Sequence, residues 1–151
     1  MLRRLSLLAA FFWLAALAAQ AQAVFTLTAE QLQNGQAVEL DKLGWKYAPG
    51  DDPQFATPQF DDHTWETLPG TVITLNSIPK SGWHGIGWFR LRLKADSALA
   101  NQSLALVMVH YGASEIYLNG KLIERFGAVG TTPEKEIAHN PNLLPIYFVL
   151  D

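Results

Sequence analysis

The sequence predicts an all-β protein built as a two-sheet sandwich. Three observations carry that expectation. Residues 89–94 alternate, with Phe89, Leu91 and Leu93 on one side and Arg90, Arg92 and Lys94 on the other. That period of two marks a strand with one dry and one wet face. Asn119-Gly120 stands between two apolar-rich runs, the strongest short hairpin signal, because both turn positions need positive φ. Roughly seven or eight extended segments with long loops and little helix suit packed sheets better than a bundle.

The elements follow in order. Residues 24–34 are ambiguous: Thr28-Ala29-Glu30-Gln31 resembles a capping box opening a short helix, and Asn34-Gly35 ends it. Residues 37–40 read as a short strand. Residues 45–47 read as another, with Trp45 and Tyr47 on one face. From 49 to 64 the chain is loop, punctuated by Pro49, Gly50, Pro53, Pro58 and four Asp. Residues 65–68 resume an extended pattern and Pro69-Gly70 turns it. Residues 71–75 are β-rich, and 76–87 form a second loop. Residues 103–111 are nearly all apolar, which suits a central strand covered on both sides. Periodicity alone admits a helix there, but Val107, Val109 and Tyr111 favour the strand. Residues 115–118 and 121–126 pair across Asn119-Gly120, and 146–150 form the last strand.

The first residues form an export signal. Arg3 and Arg4 make a charged start, residues 5–19 are uncharged and apolar, and Ala19-Gln20-Ala21 and Ala21-Gln22-Ala23 both fit a cleavage site. The apolar run is shorter than the ~20 residues of a spanning helix. Residues 1–23 are therefore expected to leave as a signal peptide, with 24–151 as one exported domain of ordinary size. The chain has no Cys, which excludes a lipoprotein anchor, disulfides and thiolate metal sites. Its net charge is −3, and loss of Arg3 and Arg4 takes it to −5. The lysines are scattered, so nucleic acid and anionic membrane are poor partners.

Several residues are candidates for function. Trp83, His84, Trp88 and Arg90 could form a sugar-facing patch. Aromatic rings stack on the C–H faces of sugars, while His and Arg bond hydroxyls or a carboxylate. Strand alternation puts Trp88 with Arg90 and Arg92, so Trp88 lies either on a binding face or under a covering loop. The structural alternative makes Trp88 core and Trp83 an end cap. Gly82, Gly85 and Gly87 let this loop bend close to a partner. His110 and Tyr111 end the long apolar strand, where sandwiches place binding groups; the alternative is a His held by hydrogen bonds at the core edge. Asp51, Asp52, Asp61 and Asp62 are four carboxylates on one loop, weak candidates for calcium. Asp also stabilises turns by bonding its own backbone. No metal or cofactor is otherwise expected. No nucleophile elbow, zinc-protease helix or phosphate loop occurs, so the chain is expected to be non-catalytic.

The order of motifs is similar to the extracellular jelly-roll domain, of galactose-binding-like fold, that precedes the membrane segments of bacterial seven-transmembrane signalling receptors. The matching residues are Trp45-Lys46-Tyr47 with Gly50-Asp51-Asp52, and Phe60-Asp61-Asp62-His63-Thr64-Trp65. Gly85-Ile86-Gly87-Trp88-Phe89-Arg90, residues 113–120 and residues 126–130 follow, then Asn140-Pro141 and Pro145. The same skeleton resembles the sugar-binding N-terminal domain of glycoside hydrolase family 2. The first resemblance implies a jelly-roll sensor for a small-molecule or carbohydrate ligand, on the periplasmic or extracellular face, with membrane and signalling domains following in the same polypeptide. The second implies a non-catalytic sugar-binding domain of a secreted glycoside hydrolase or esterase. The apolar run ending at Asp151, with no closing strand after it, leads us to expect an N-terminal fragment of a longer protein.

Overall fold

A computed structural model describes residues 24–132 and 134–150. The expected leader, residues 1–23, lies outside the described residues. Strands account for 33% of the chain and helix for 13%, and every described helical segment is a short 3₁₀ turn. The β-rich character is as expected. No described helix is long and apolar enough to cross a membrane.

Among the described residues nine strands form four small sheets. β1 (Phe25–Leu27) runs parallel to β5 (Leu93–Ala95). β2 (Trp45–Pro49) is the centre of a three-stranded antiparallel sheet between β3 (Glu66–Leu68) and β4 (Gly87–Arg90). β6 (Ser103–Leu106) pairs with β9 (Ile146–Val149). β7 (Ser114–Leu118) and β8 (Lys121–Phe126) make the hairpin, with a bulge after Ile116. The core is Tyr47, Ala48, Trp65, Leu68, Leu99, Phe126 and Ile146, and among the described residues no polar or charged residue is buried.

The start of the domain shows local rules at work. Thr28 N–H donates to Gln31 Oε1 at 2.8 Å, and Gln31 N–H to Thr28 Oγ1 at 3.4 Å, the reciprocal pair of a capping box. The turn stops where Asn34 and Gly35 both adopt positive φ. Asp52 caps the 3₁₀ turn Pro53–Ala56 by accepting from Gln54 N–H at 2.9 Å.

Four expectations need correction. Residues 37–40 form no strand, and Leu40–Lys42 is a 3₁₀ turn. Residues 71–75 form no strand either. Thr74 N–H donates to Ser77 Oγ at 2.8 Å and Asn76 N–H to Thr74 Oγ1 at 3.3 Å, so side chains take the bonds a ladder would need. The run 89–94 is two strands: β4 ends at Arg90 on β2, and β5 begins at Leu93 on β1. The long apolar run is a strand only to Leu106, which faces Ile146. The next partner position is Pro145, which has no N–H to give. Nor is that run covered on both sides, since Val107 and Val109 are exposed.

The hairpin turn docks on the long acidic loop. Asn119 and Gly120 take φ of 50° and 81°. A Cβ on Gly120 would stand 2.7 Å from Pro58 Cδ and 3.2 Å from the Ala56 carbonyl. Glycine is therefore required here twice, by torsion and by space.

Candidate functional site

The β3–β2–β4 sheet presents two faces, and a loop lies against each. On one face Tyr47 packs on Phe89 at 5.2 Å, and Trp83 reaches both rings at 6.3 and 6.5 Å. The loop carrying Trp83 is pinned at several points. Glu66 accepts from Lys80 N–H at 3.0 Å, from Ser81 N–H at 3.1 Å and from the Ser81 hydroxyl at 3.2 Å. Those donors hold its carboxyl below the usual carboxylate range, the Lys80 amide contributing most. The Tyr47 hydroxyl donates to the Gly82 carbonyl at 2.9 Å. Beyond these anchors Trp83 remains 44% exposed and His84 is exposed. Gly82 has φ of 86°, and the His84 ring lies over it, so close that a Cβ would be 2.9 Å from Nε2. A tethered loop thus presents an indole and an imidazole side by side.

The opposite face carries Lys46, Trp88 and Arg90, and residues 51–62 cover it. Phe55 meets Trp65 at 4.8 Å, Phe60 at 5.1 Å and Trp88 at 6.0 Å, all edge-on. Tyr117 from the hairpin packs on Trp88 at 5.2 Å. Arg90 threads among these rings, 5.7 Å from the Phe60 centroid and 5.5 Å from Trp65. Its guanidinium donates to the carbonyls of Phe55 and Thr57. Arg92 donates to the carbonyls of Pro58 at 2.8 Å and Phe60 at 2.7 Å, and to Asp62 at 3.0 Å. Asp62 also stands 3.6 Å from Arg90 Nε.

The expected patch of Trp83, His84, Trp88 and Arg90 is therefore divided by the sheet. Trp83 and His84 share an exposed loop; Trp88 and Arg90 lie under the other loop. The cause is the strand period itself, which sends Trp88 and Phe89 to opposite faces. Of the two readings of Trp88, the covering loop is the one observed.

His110 and Tyr111 also diverge. Tyr111 is fully in the open, bordering a depression of about 170 Å³ formed with Gly112, Ala138, His139 and Asn140. The His110 ring turns inward, with Nε2 3.1 Å from Ser114 Oγ and its centroid 5.5 Å from Phe126. His139 stacks on the same Phe126 ring at 5.8 Å. Burial first, then His139, pushes the His110 pKa down.

The four acidic-loop residues do different jobs. Asp52 is a cap. Asp61 accepts from His63 N–H at 3.1 Å and pairs with its Nδ1 at 2.9 Å; these bonds hold its pKa down. Asp62 binds the two arginines, and Asp51 is exposed. Among the described residues, no three His, Asp or Glu side chains converge as a metal cluster would.

Sequence reasoning missed Glu66 and Tyr47 as the fasteners of the Trp83 loop. It also missed a cavity of about 230 Å³ bordered by Lys46, Asp62, Arg90 and Arg92. A signal for the cavity existed: Arg90-x-Arg92 on one strand and Asp61-Asp62 in the preceding loop are complementary charges. Comparison with known proteins found no matching family, no matching curated protein and no matching solved structure.

Proposed function

We propose that this chain is an exported, non-catalytic ligand-binding domain of jelly-roll type, serving as the outer sensor of a bacterial membrane signalling receptor. The observation that carries the binding reading is the braced loop. Trp83 is half in solvent while Glu66 and Tyr47 hold its backbone to the sheet. An aromatic platform fixed in advance loses little freedom when a ligand settles on it. His84 beside it supplies a hydrogen-bonding group. A sugar, with C–H faces and hydroxyl edges, matches that pair of side chains. The receptor context, with membrane and signalling domains in the same polypeptide, rests on the motif order from Trp45-Lys46-Tyr47 to Pro145 and on the export-like leader.

The test is a fluorescence titration of the full-length chain with a glycan panel. At least one sugar is expected to give a saturable change in tryptophan emission. Trp83→Ala is expected to weaken that response at least tenfold, while its melting temperature stays within a few degrees of the parent. No response to any sugar, or an undiminished response in Trp83→Ala, would remove the carbohydrate reading.

A further inference from the structure

The cavity beneath the sheet has a charge imbalance that its walls do not resolve. β2 and β4 pair so that Lys46 stands directly opposite Arg90. Like charges in that relation oppose strand pairing. Arg92 borders the same cavity, and among the described residues Asp62 is the one carboxylate lining it. Three cations and one anion leave two positive charges. Arg90 is well sheltered, its side chain 12% exposed, and Asp62 14%. Burial first, then Arg92, pulls the Arg90 guanidinium below its ordinary pKa, the direction expected where positive charge is held at a cost.

The donors on these cations are only partly engaged. A guanidinium has five N–H groups and an ammonium three. Both bonds from Arg90 to loop carbonyls leave through Nη2, and among the described residues Nη1 makes no hydrogen bond. Lys46 makes one long contact, 3.4 Å to the Trp65 carbonyl. The remaining wall is apolar, including Phe25, Leu43 and Leu91. The space, about 230 Å³, is large enough for several waters or a small organic ion.

We propose that this cavity binds a small monocarboxylate with a short apolar body. The carboxylate would lie against Lys46 Nζ and Arg90 Nη1, and the body against Phe25, Leu43 and Leu91. One negative charge halves the excess. A monocarboxylate, unlike phosphate, carries an apolar body for Phe25, Leu43 and Leu91 to receive. The site lies across the sheet from Trp83, so it stands or falls independently of the sugar reading.

The experiment is calorimetric titration of the full-length chain with butyrate and benzoate, each beside its neutral amide, at constant ionic strength. The acids are expected to bind saturably and at least tenfold more tightly than the amides. Lys46→Met is expected to weaken binding at least tenfold, and its ligand-free melting temperature is expected to equal or exceed the parent's, because the opposed charge is gone. A merely structural Lys46 would instead lower it. Lys46→Gln serves as the second variant, keeping a polar tip without the charge. Trp83→Ala is expected to bind the acids as the parent does. Equal binding of acid and amide, equal competition by inorganic phosphate, or unchanged affinity in both Lys46 variants would each overturn the proposal.

Discussion

On the β3–β2–β4 sheet, the face carrying Lys46 and Arg90 lies beneath residues 51–62. On the β6–β9 pair, the face carrying Ala105, Tyr147 and Val149 lies open, with Tyr147 71% and Val149 49% exposed. The charged face is covered and the apolar face is bare. The difference follows from what a loop can offer. An irregular segment brings unpaired carbonyls, and these need donors. Arg90 and Arg92 provide them to Phe55, Thr57, Pro58 and Phe60. Phe55 and Phe60 then cover the aliphatic and aromatic surface between. Ala105 and Val149 have no side-chain donors with which to hold a loop, and Tyr147 brings one hydroxyl where Arg90 and Arg92 bring two guanidinium forks. Covering is decided by complementarity, not by hydrophobicity alone.

The comparison can be broken most forcefully at Asp62. Asp62→Ala leaves Arg90 and Arg92 without their shared carboxylate, and removing one partner of a sheltered ion pair costs about 3 kcal/mol. A urea midpoint close to the parent's would mean that the loop is held by its rings alone. A second, smaller effect belongs to the bare half. The folded His110 pKa lies below its ordinary 6.5, so the unfolded chain takes up a proton first as pH falls. Stability is therefore expected to decline on going down from about pH 6.5 towards the folded value. Thermal melts at stepped pH should show that decline, and His110→Gln should flatten it. Glu66 and Glu115, whose pKa values are pushed down from 4.5 by hydrogen bonds, Lys80 leading for the first and Tyr117 for the second, act only at more acidic pH. Their contribution is present above that value and lost as pH falls through the folded pKa. The smallest effect is expected at Tyr147→Ser, within about 0.5 kcal/mol, as for surface substitutions generally. A loss of 2 kcal/mol in the same melts would show that the open face is covered in solution.

What the sequence made legible was local demand. Asn119-Gly120 forced its turn, and the alternation around Trp45 and Tyr47 placed both on the face that pairs with Leu68 and Glu66. The capping pair Thr28 and Gln31 was readable for the same reason: partners three residues apart need no tertiary knowledge. What escaped was everything set by distant chain. Residues 103–111 looked like one buried strand, yet its length is fixed by Pro145 some way downstream. Trp88 could be read as a binding face or as covered, and only the distant Phe55, which packs edge-on against it, decides for cover. Thr74 and Ser77 had the β-like company of Val72 and Leu75, and their hydroxyls decided against a strand.

The seat of Gly120 against Pro58 has a kinetic consequence. It joins points about sixty residues apart, and closing so long a loop carries an entropic penalty that slows barrier crossing. The β7–β8 ribbon can assemble from its own neighbours early, whereas the cover over Arg90 waits for that ribbon's tip to arrive. Refolding followed at Trp88 should then lag behind formation of the ribbon, making the indole a clock for the final docking event.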